Sequence, residues 1–112
     1  MQELFVTYEQ AMALKELGFD EPCLGGWDKP GDWWWHPDSD ITIDGPLKSQ
    51  VFRWFREKYN LFHCIEPHFS SGFNIYIKGI KNEEPYHIVY KTYDFAESEC
   101  IDNLIKIIKE KK

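Results

Sequence analysis

Apolar residues recur along this chain with two periods, and the points where one period gives way to the other divide it into elements. The clearest helical stretch runs from Gly45 to Asn60. Pro46 suits a first helical position, where its fixed φ helps and its missing N–H costs nothing, and Leu47, Val51, Trp54 and Phe55 then share one face. Phe52 and Tyr59 widen that stripe, while Lys48, Arg53, Arg56, Glu57 and Lys58 read as the solvated side. The spacing predicts the central helix of the fold.

Upstream, Thr7-Tyr8-Glu9-Gln10 reads as a capping box, with Val6 placed to staple onto Ala11. The helix it opens carries Ala11, Leu14 and Leu17 on one face, and Gly18 supplies a left-handed cap over which Phe19 folds back. A last helix is capped by Thr92, with Phe95, Ala96, Cys100, Ile101, Leu104, Ile105 and Ile108 as its apolar stripe and lysines at 106, 109, 111 and 112 complementing the dipole at its end.

Strands are expected at Glu21–Trp27, where paired glycines suggest a bulge or an edge position, and at Ile41–Asp44. Three more follow at Leu61–Ile65, Phe73–Lys78 and Tyr86–Tyr90. Residues 28–40 hold two prolines, a glycine and several turn formers, which predicts a loop with room for a short extended piece through its tryptophans. The order predicts an α+β fold, an antiparallel sheet of four to five strands with three helices mainly on one face, as a single domain over 1–112.

Composition narrows the class. A chain of 112 residues with 43% hydrophobic and 17% aromatic residues can build one aromatic-rich core. The cysteines, Cys23, Cys64 and Cys100, are widely spaced and odd in number, which predicts reduced, buried thiols. The N-terminus lacks the basic start and apolar middle of a signal peptide, and no run is long enough to span a bilayer, so a cytoplasmic protein with no membrane partner is expected. The net charge of −6 is unevenly spread: residues 1–45 hold ten acidic and two basic side chains, residues 46–112 nine acidic and eleven basic. Acidity so concentrated repels a phosphate backbone and favours a basic protein partner.

The least ordinary feature is Trp33-Trp34-Trp35 framed by Asp32, Asp38, Asp40 and Asp44. Rigid aromatics give contact area at low entropic cost, and surrounding carboxylates suit arginines or lysines of a partner groove that otherwise holds nucleic acid. The competing reading turns the tryptophans inward to cover the sheet. Alternation along the run sends Trp34 one way and Trp33 and Trp35 the other. Direct nucleic-acid binding would fall to Lys48, Arg53, Arg56 and Lys58, against the overall charge. A rival metal-binding or enzymatic centre would use His63, Cys64, Glu66 and His68, although no zinc spacing or other cofactor motif is present.

Three phrases are familiar: Leu4–Ala11 continuing through Leu14–Cys23, Pro46-Leu47 with Phe52–Tyr59, and Tyr90–Glu97. Together they resemble a family of short uncharacterised proteins of Bacteroidetes genomes, phages and mobile elements. The resemblance covers all three helices, and no activity comes with it, so no catalytic residue is carried over. It implies a mobile-element setting in which small acidic proteins block host factors, CRISPR nucleases among them. The expectation is a non-enzymatic, anti-CRISPR-like interaction protein, with no cofactor.

Overall fold

The computed structural model of the protein describes residues 4–35, 41–68, 71–78 and 89–111. The elements are α1 (Tyr8–Glu16), β1 (Gly25–Lys29), β2 (Asp32–Trp35), β3 (Ile43–Asp44), α2 (Lys48–Tyr59), β4 (Phe62–Pro67), β5 (Phe73–Lys78) and α3 (Tyr93–Lys111). They fall into two compact units, residues 1–51 and 52–112, with the division inside α2. The class is α+β with three helices, as expected. In place of one sheet of four to five strands, the described strands form two antiparallel sheets, one of three strands and one of two.

In the first unit, α1 begins and ends on local chemistry. The Thr7 hydroxyl accepts from the Gln10 N–H at 3.1 Å while the Gln10 side chain accepts from the Thr7 N–H at 2.9 Å, so two orphan donors are satisfied. At the other end Gly18 takes a φ of 99°, the Phe19 N–H donates to the Leu14 carbonyl and the Gly18 N–H to that of Lys15. These are the two bonds of a Schellman cap. Ala11, Leu14, Leu17 and Phe19 are buried, each large side chain contributing about 1.5–3 kcal/mol.

The three-stranded sheet has the order β2-β1-β3. Residues 28–35, expected as loop, are largely strand and tight turn. Pro30 and Gly31 provide the corners, Gly31 with a φ of 88°, and bring β2 back against β1. The extended piece through the tryptophans is therefore β2 itself, and the β-propensity of indole favours it. The pairs are Gly25 with Trp35, Gly26 with Trp34, Trp27 with Trp33 and Lys29 with Asp32, so a bulge at Asp28 leaves two residues of β1 opposite one step of β2. On its far side β1 pairs with β3, Trp27 opposite Ile43, which makes the glycine-bearing strand central and not an edge.

Helix α2 starts at Lys48, so Pro46 lies just outside; the Leu47 carbonyl accepts from Val51 N–H, and the Gln50 side chain accepts from Leu47 N–H at 3.4 Å. Val51, Phe52, Trp54 and Phe55 are buried. Lys48 is buried as well, unlike the solvated position its place in the pattern suggests. The helix stops at Asn60, whose φ of 58° is left-handed, and Leu61 N–H turns back to the Phe55 carbonyl.

In the second unit β4 and β5 pair from Phe62 with Lys78 to Pro67 with Phe73. Most of the expected strand Tyr86–Tyr90 lies outside the described residues; its end, Tyr90, forms an isolated antiparallel bridge with Phe73. Thr92 caps α3 by accepting from Phe95 N–H at 3.1 Å. Ala96, Cys100, Ile101, Leu104, Ile105 and Ile108 form its buried stripe, but Phe95 is exposed. At about 100° per residue Phe95 and Leu104 point to opposite sides of the helix, which is why Phe95 does not join.

Candidate functional site

Strand alternation sorts the three consecutive tryptophans. Trp33 and Trp35 share the face of β2 that Trp27 shares on β1, and Trp34 takes the other face. Trp33 is half-buried, whereas Trp34 and Trp35 retain 38% and 50% of their surface in solvent. The alternation sorts the faces but not the exposure: Trp35 shares the face of half-buried Trp33 and is the most exposed of the three.

Trp33 is the anchor. Its ring fills the space that side chains at Gly25 and Gly45 would take: a Cβ at Gly25 would lie 2.7 Å from the Trp33 ring, and one at Gly45 would overlap the same ring and lie 2.8 Å from that of Trp27. Around it, Trp27 meets Trp33 edge to face at 4.8 Å and 82°, and Trp33 meets Trp35 at 5.4 Å and 82°. The chain ahead of α1 completes the group. Val6 N–H donates to the Pro46 carbonyl and Phe5 bridges Leu47, which sets the Phe5 ring 4.7 Å from Trp33 and 5.8 Å from Trp35. Tyr8, the first residue of α1, stands edge-on to Trp27 at 5.6 Å and 87°.

These rings enclose an open pocket of about 370 Å³ lined by Phe5, Val6, Thr7, Tyr8, Trp27, Gly31, Trp33 and Trp35. Its size falls at the small end of the range of ligand pockets, about 300–1,000 Å³. The sequence pointed to Trp33 and Trp35 but not to Phe5, Tyr8 or Trp27. The period-2 match of Trp33 and Trp35 was visible; the pairing that adds Trp27 depends on the bulge.

The expected acidic frame is distributed. Asp32 is paired with Lys29 at 3.4 Å across the turn, a contact between exposed groups of small energetic weight. Asp44 is exposed at the end of β3, and Asp38 and Asp40 lie outside the described residues. Asp28, at the bulge, has one buried carboxylate oxygen with no hydrogen-bond partner among the described residues. A second hollow of about 400 Å³, lined by Ala11, Lys15, Gly18, Phe19, Asp20, Thr42 and Asp44, has its lysine donating to the Thr42 carbonyl. It offers one aromatic ring and a spoken-for cation, so the aromatic pocket is the stronger site.

In the second unit, two residues of the rival centre, Cys64 and Glu66, meet, while His63 turns to the other face of β4. His63 stacks flat on Phe52, centroids 3.7 Å apart at 10°, and burial followed by the nearby Arg56 charge moves its pKa down. Cys64, on the opposite face of β4, donates to Glu66 at 3.6 Å; burial, then the Glu66 carboxylate, raises its pKa. The surroundings favour a neutral imidazole and a protonated thiol, whereas ligation and attack by cysteine need the thiolate. His68 follows β4, its backbone N–H donating to Gly72 at 2.8 Å. Among the described residues, no group of three or more His, Cys, Asp or Glu side chains is placed to hold a metal ion.

All three cysteines are free, Cys100 buried and Cys23 and Cys64 half-buried. On α2, Arg53, Arg56 and Lys58 are exposed, with the Lys58 ammonium over the rings of Trp54 and Tyr59. No described helix is long and apolar enough to cross a membrane. No family model matches the chain, and no curated protein or solved structure matches it.

Proposed function

We propose that this chain is a non-enzymatic protein-binding module whose acidic part, residues 1–45, engages a basic surface of another protein through β2. The observation that carries the reading is the exposure of Trp34 and Trp35, 38% and 50%, on opposite faces of a strand whose Trp33 pairs with Trp27 of β1. Large aromatics fixed on a rigid element lose little entropy on contact and are the residue type that dominates hot spots. The charge balance around them, ten acidic against two basic side chains, supplies complementarity to a basic partner and repels bare nucleic acid.

The mobile-element setting implied by the sequence resemblance makes a host defence protein the candidate partner. A nuclease groove that holds a phosphate backbone, as in a CRISPR effector, has the required charge, and occupying it would inhibit the enzyme. The test is capture from a host lysate, identification and purification of the captured protein, then titration with the chain. Replacing Trp34 and Trp35 together by alanine should weaken the complex at least about ten-fold with the fold retained. Affinity should also fall with salt, since exposed charges are screened beyond about 8 Å at physiological ionic strength. Undiminished binding by the double variant would overturn the proposal.

A further inference from the structure

We infer that the aromatic pocket of the first unit receives an arginine side chain, so that the partner is held by a guanidinium inserted beside Trp33 and Trp35. This rests on reading the acidic part as a protein-binding surface, and it specifies the chemistry that the surface selects.

The arrangement of rings is the first reason. Trp27 on Trp33, Trp33 on Trp35 and Tyr8 on Trp27 each meet within 8° of perpendicular, at 82°, 82° and 87°. Rings joined in this way make corners and not one flat platform. The face of each ring carries the negative lobe of its quadrupole and the edge the positive one, so a cation is attracted to any ring face that these corners leave open to the hollow.

The second reason is charge. The pocket of about 370 Å³ has no lysine or arginine among its lining residues, and the described cation–π contacts are elsewhere, between Lys58 and the rings of Trp54 and Tyr59. The segment that builds it, residues 1–45, has eight more acidic than basic side chains, ten against two. One feature opposes a cation: Thr7 and Tyr8 belong to the N-terminus of α1, the positive end of its dipole. There the capping box occupies two of the N–H groups and Glu9 in the first turn offsets the rest.

Other occupants fit less well. A nucleotide would bring phosphate to an acidic surface. A sugar needs directed acceptors for its hydroxyls, whereas this lining has no carboxylate or amide side chain; its polar side-chain groups are three indole N–H donors, the Tyr8 phenol and a Thr7 hydroxyl already accepting from Gln10. Between the two basic side chains, guanidinium is planar, stacks on indole and sheds water more readily than ammonium.

The experiment uses the full chain, labelled at its tryptophan indole nitrogens, and two short glycine-serine peptides differing only in one central residue, arginine or citrulline. Citrulline keeps the shape and removes the charge. The arginine peptide should shift the indole signals of Trp33 and Trp35 saturably and leave Trp54 unmoved, with the citrulline peptide about five-fold weaker or more. Trp35→Phe should keep most of that preference and Trp35→Leu should lose it, both variants retaining the wild-type thermal transition.

Equal binding of the two peptides, tighter binding of a proline-rich peptide, absence of a saturable shift, or an unchanged preference in Trp35→Leu would each overturn the inference. If the arginine peptide fails while the purified partner still depends on Trp34 and Trp35, only the pocket chemistry falls. If partner binding is also indifferent to those tryptophans, the module reading falls with it.

Discussion

The ring of Trp33 occupies the space that a side chain on Gly45 would need. A half-buried indole thus lies directly against the backbone of the segment entering α2, and the glycine is what admits it. Gly45→Ala should force the indole out or shift the backbone, at a cost of roughly 1–3 kcal/mol typical of overpacking. Thermal denaturation of the variant checks this, and a Tm equal to that of the parent would show that the ring has room to move.

The three tryptophans should differ in what they contribute to stability. Trp33→Ala removes the centre of the aromatic cluster and should cost about 2–4 kcal/mol, below or near the lower end of the range for fully buried aromatics. Trp35→Ala takes away a ring half in solvent and should cost about 1 kcal/mol or less. Urea unfolding of the two single variants separates these values, and the contrast is what permits binding and folding to be tested independently.

His63 predicts a pH dependence whose sign follows from its environment. Burial, then Arg56, lowers its folded pKa below the ordinary 6.5, so between those two values the unfolded chain binds more protons than the folded one. The contribution of His63 to stability is complete above about pH 6.5 and declines as pH falls through the folded pKa. His63→Phe, which keeps an aromatic ring stacked on Phe52, should abolish that part of the pH profile. Melting curves across this interval, compared between parent and variant, are the measurement.

Thiol chemistry should be slow in the native state. Burial, then neighbouring carboxylates, pushes both Cys23 and Cys100 up to about 12, with Asp44 and Glu21 acting on the first and Glu97 on the second. Cys64 is raised in the same direction. At neutral pH a disulfide reagent should therefore react sluggishly with the folded chain and rapidly with all three thiols after denaturation. A fast single-site reaction under native conditions would identify an activated cysteine and revive a nucleophilic role.

The caps invite a simpler check. Thr7→Ala removes the hydroxyl that accepts from Gln10 N–H, and Thr92→Ala the one that accepts from Phe95 N–H. Each should lower stability by about 1 kcal/mol, read from denaturant midpoints at unchanged slope.

What could be read from sequence divides by range. The capping box at Thr7 and Gln10, the Schellman end at Gly18 and Phe19, and the buried stripe from Ala96 to Ile108 rest on residues within a few positions of each other, and all were legible. Of the strand pairings, the consecutive antiparallel pair β4 and β5 followed from chain order, whereas that of β3 with β1 did not, because it depends on contacts between residues far apart. Residues 28–35 looked like loop since Pro30 and Gly31 signal a turn whether or not strands flank it. The pocket was half legible: Trp33 and Trp35 declared themselves by alternation, while Phe5 joins them from the segment where Val6 binds the Pro46 carbonyl, and Tyr8 meets only Trp27, which the ladder adds.

The irregularity at Asp28 has a consequence for which indoles meet. Counting back from the Pro30-Gly31 corner, an unbroken ladder would set Trp27 across from Trp34, leaving a lone pair of indoles on that side and sending Trp33 and Trp35 to the other. The inserted step moves the count by one and gives Trp27 two companions in place of one. A single supernumerary residue thereby chooses between a pair and a trio, and with it whether this small sheet has a cavity or merely a surface.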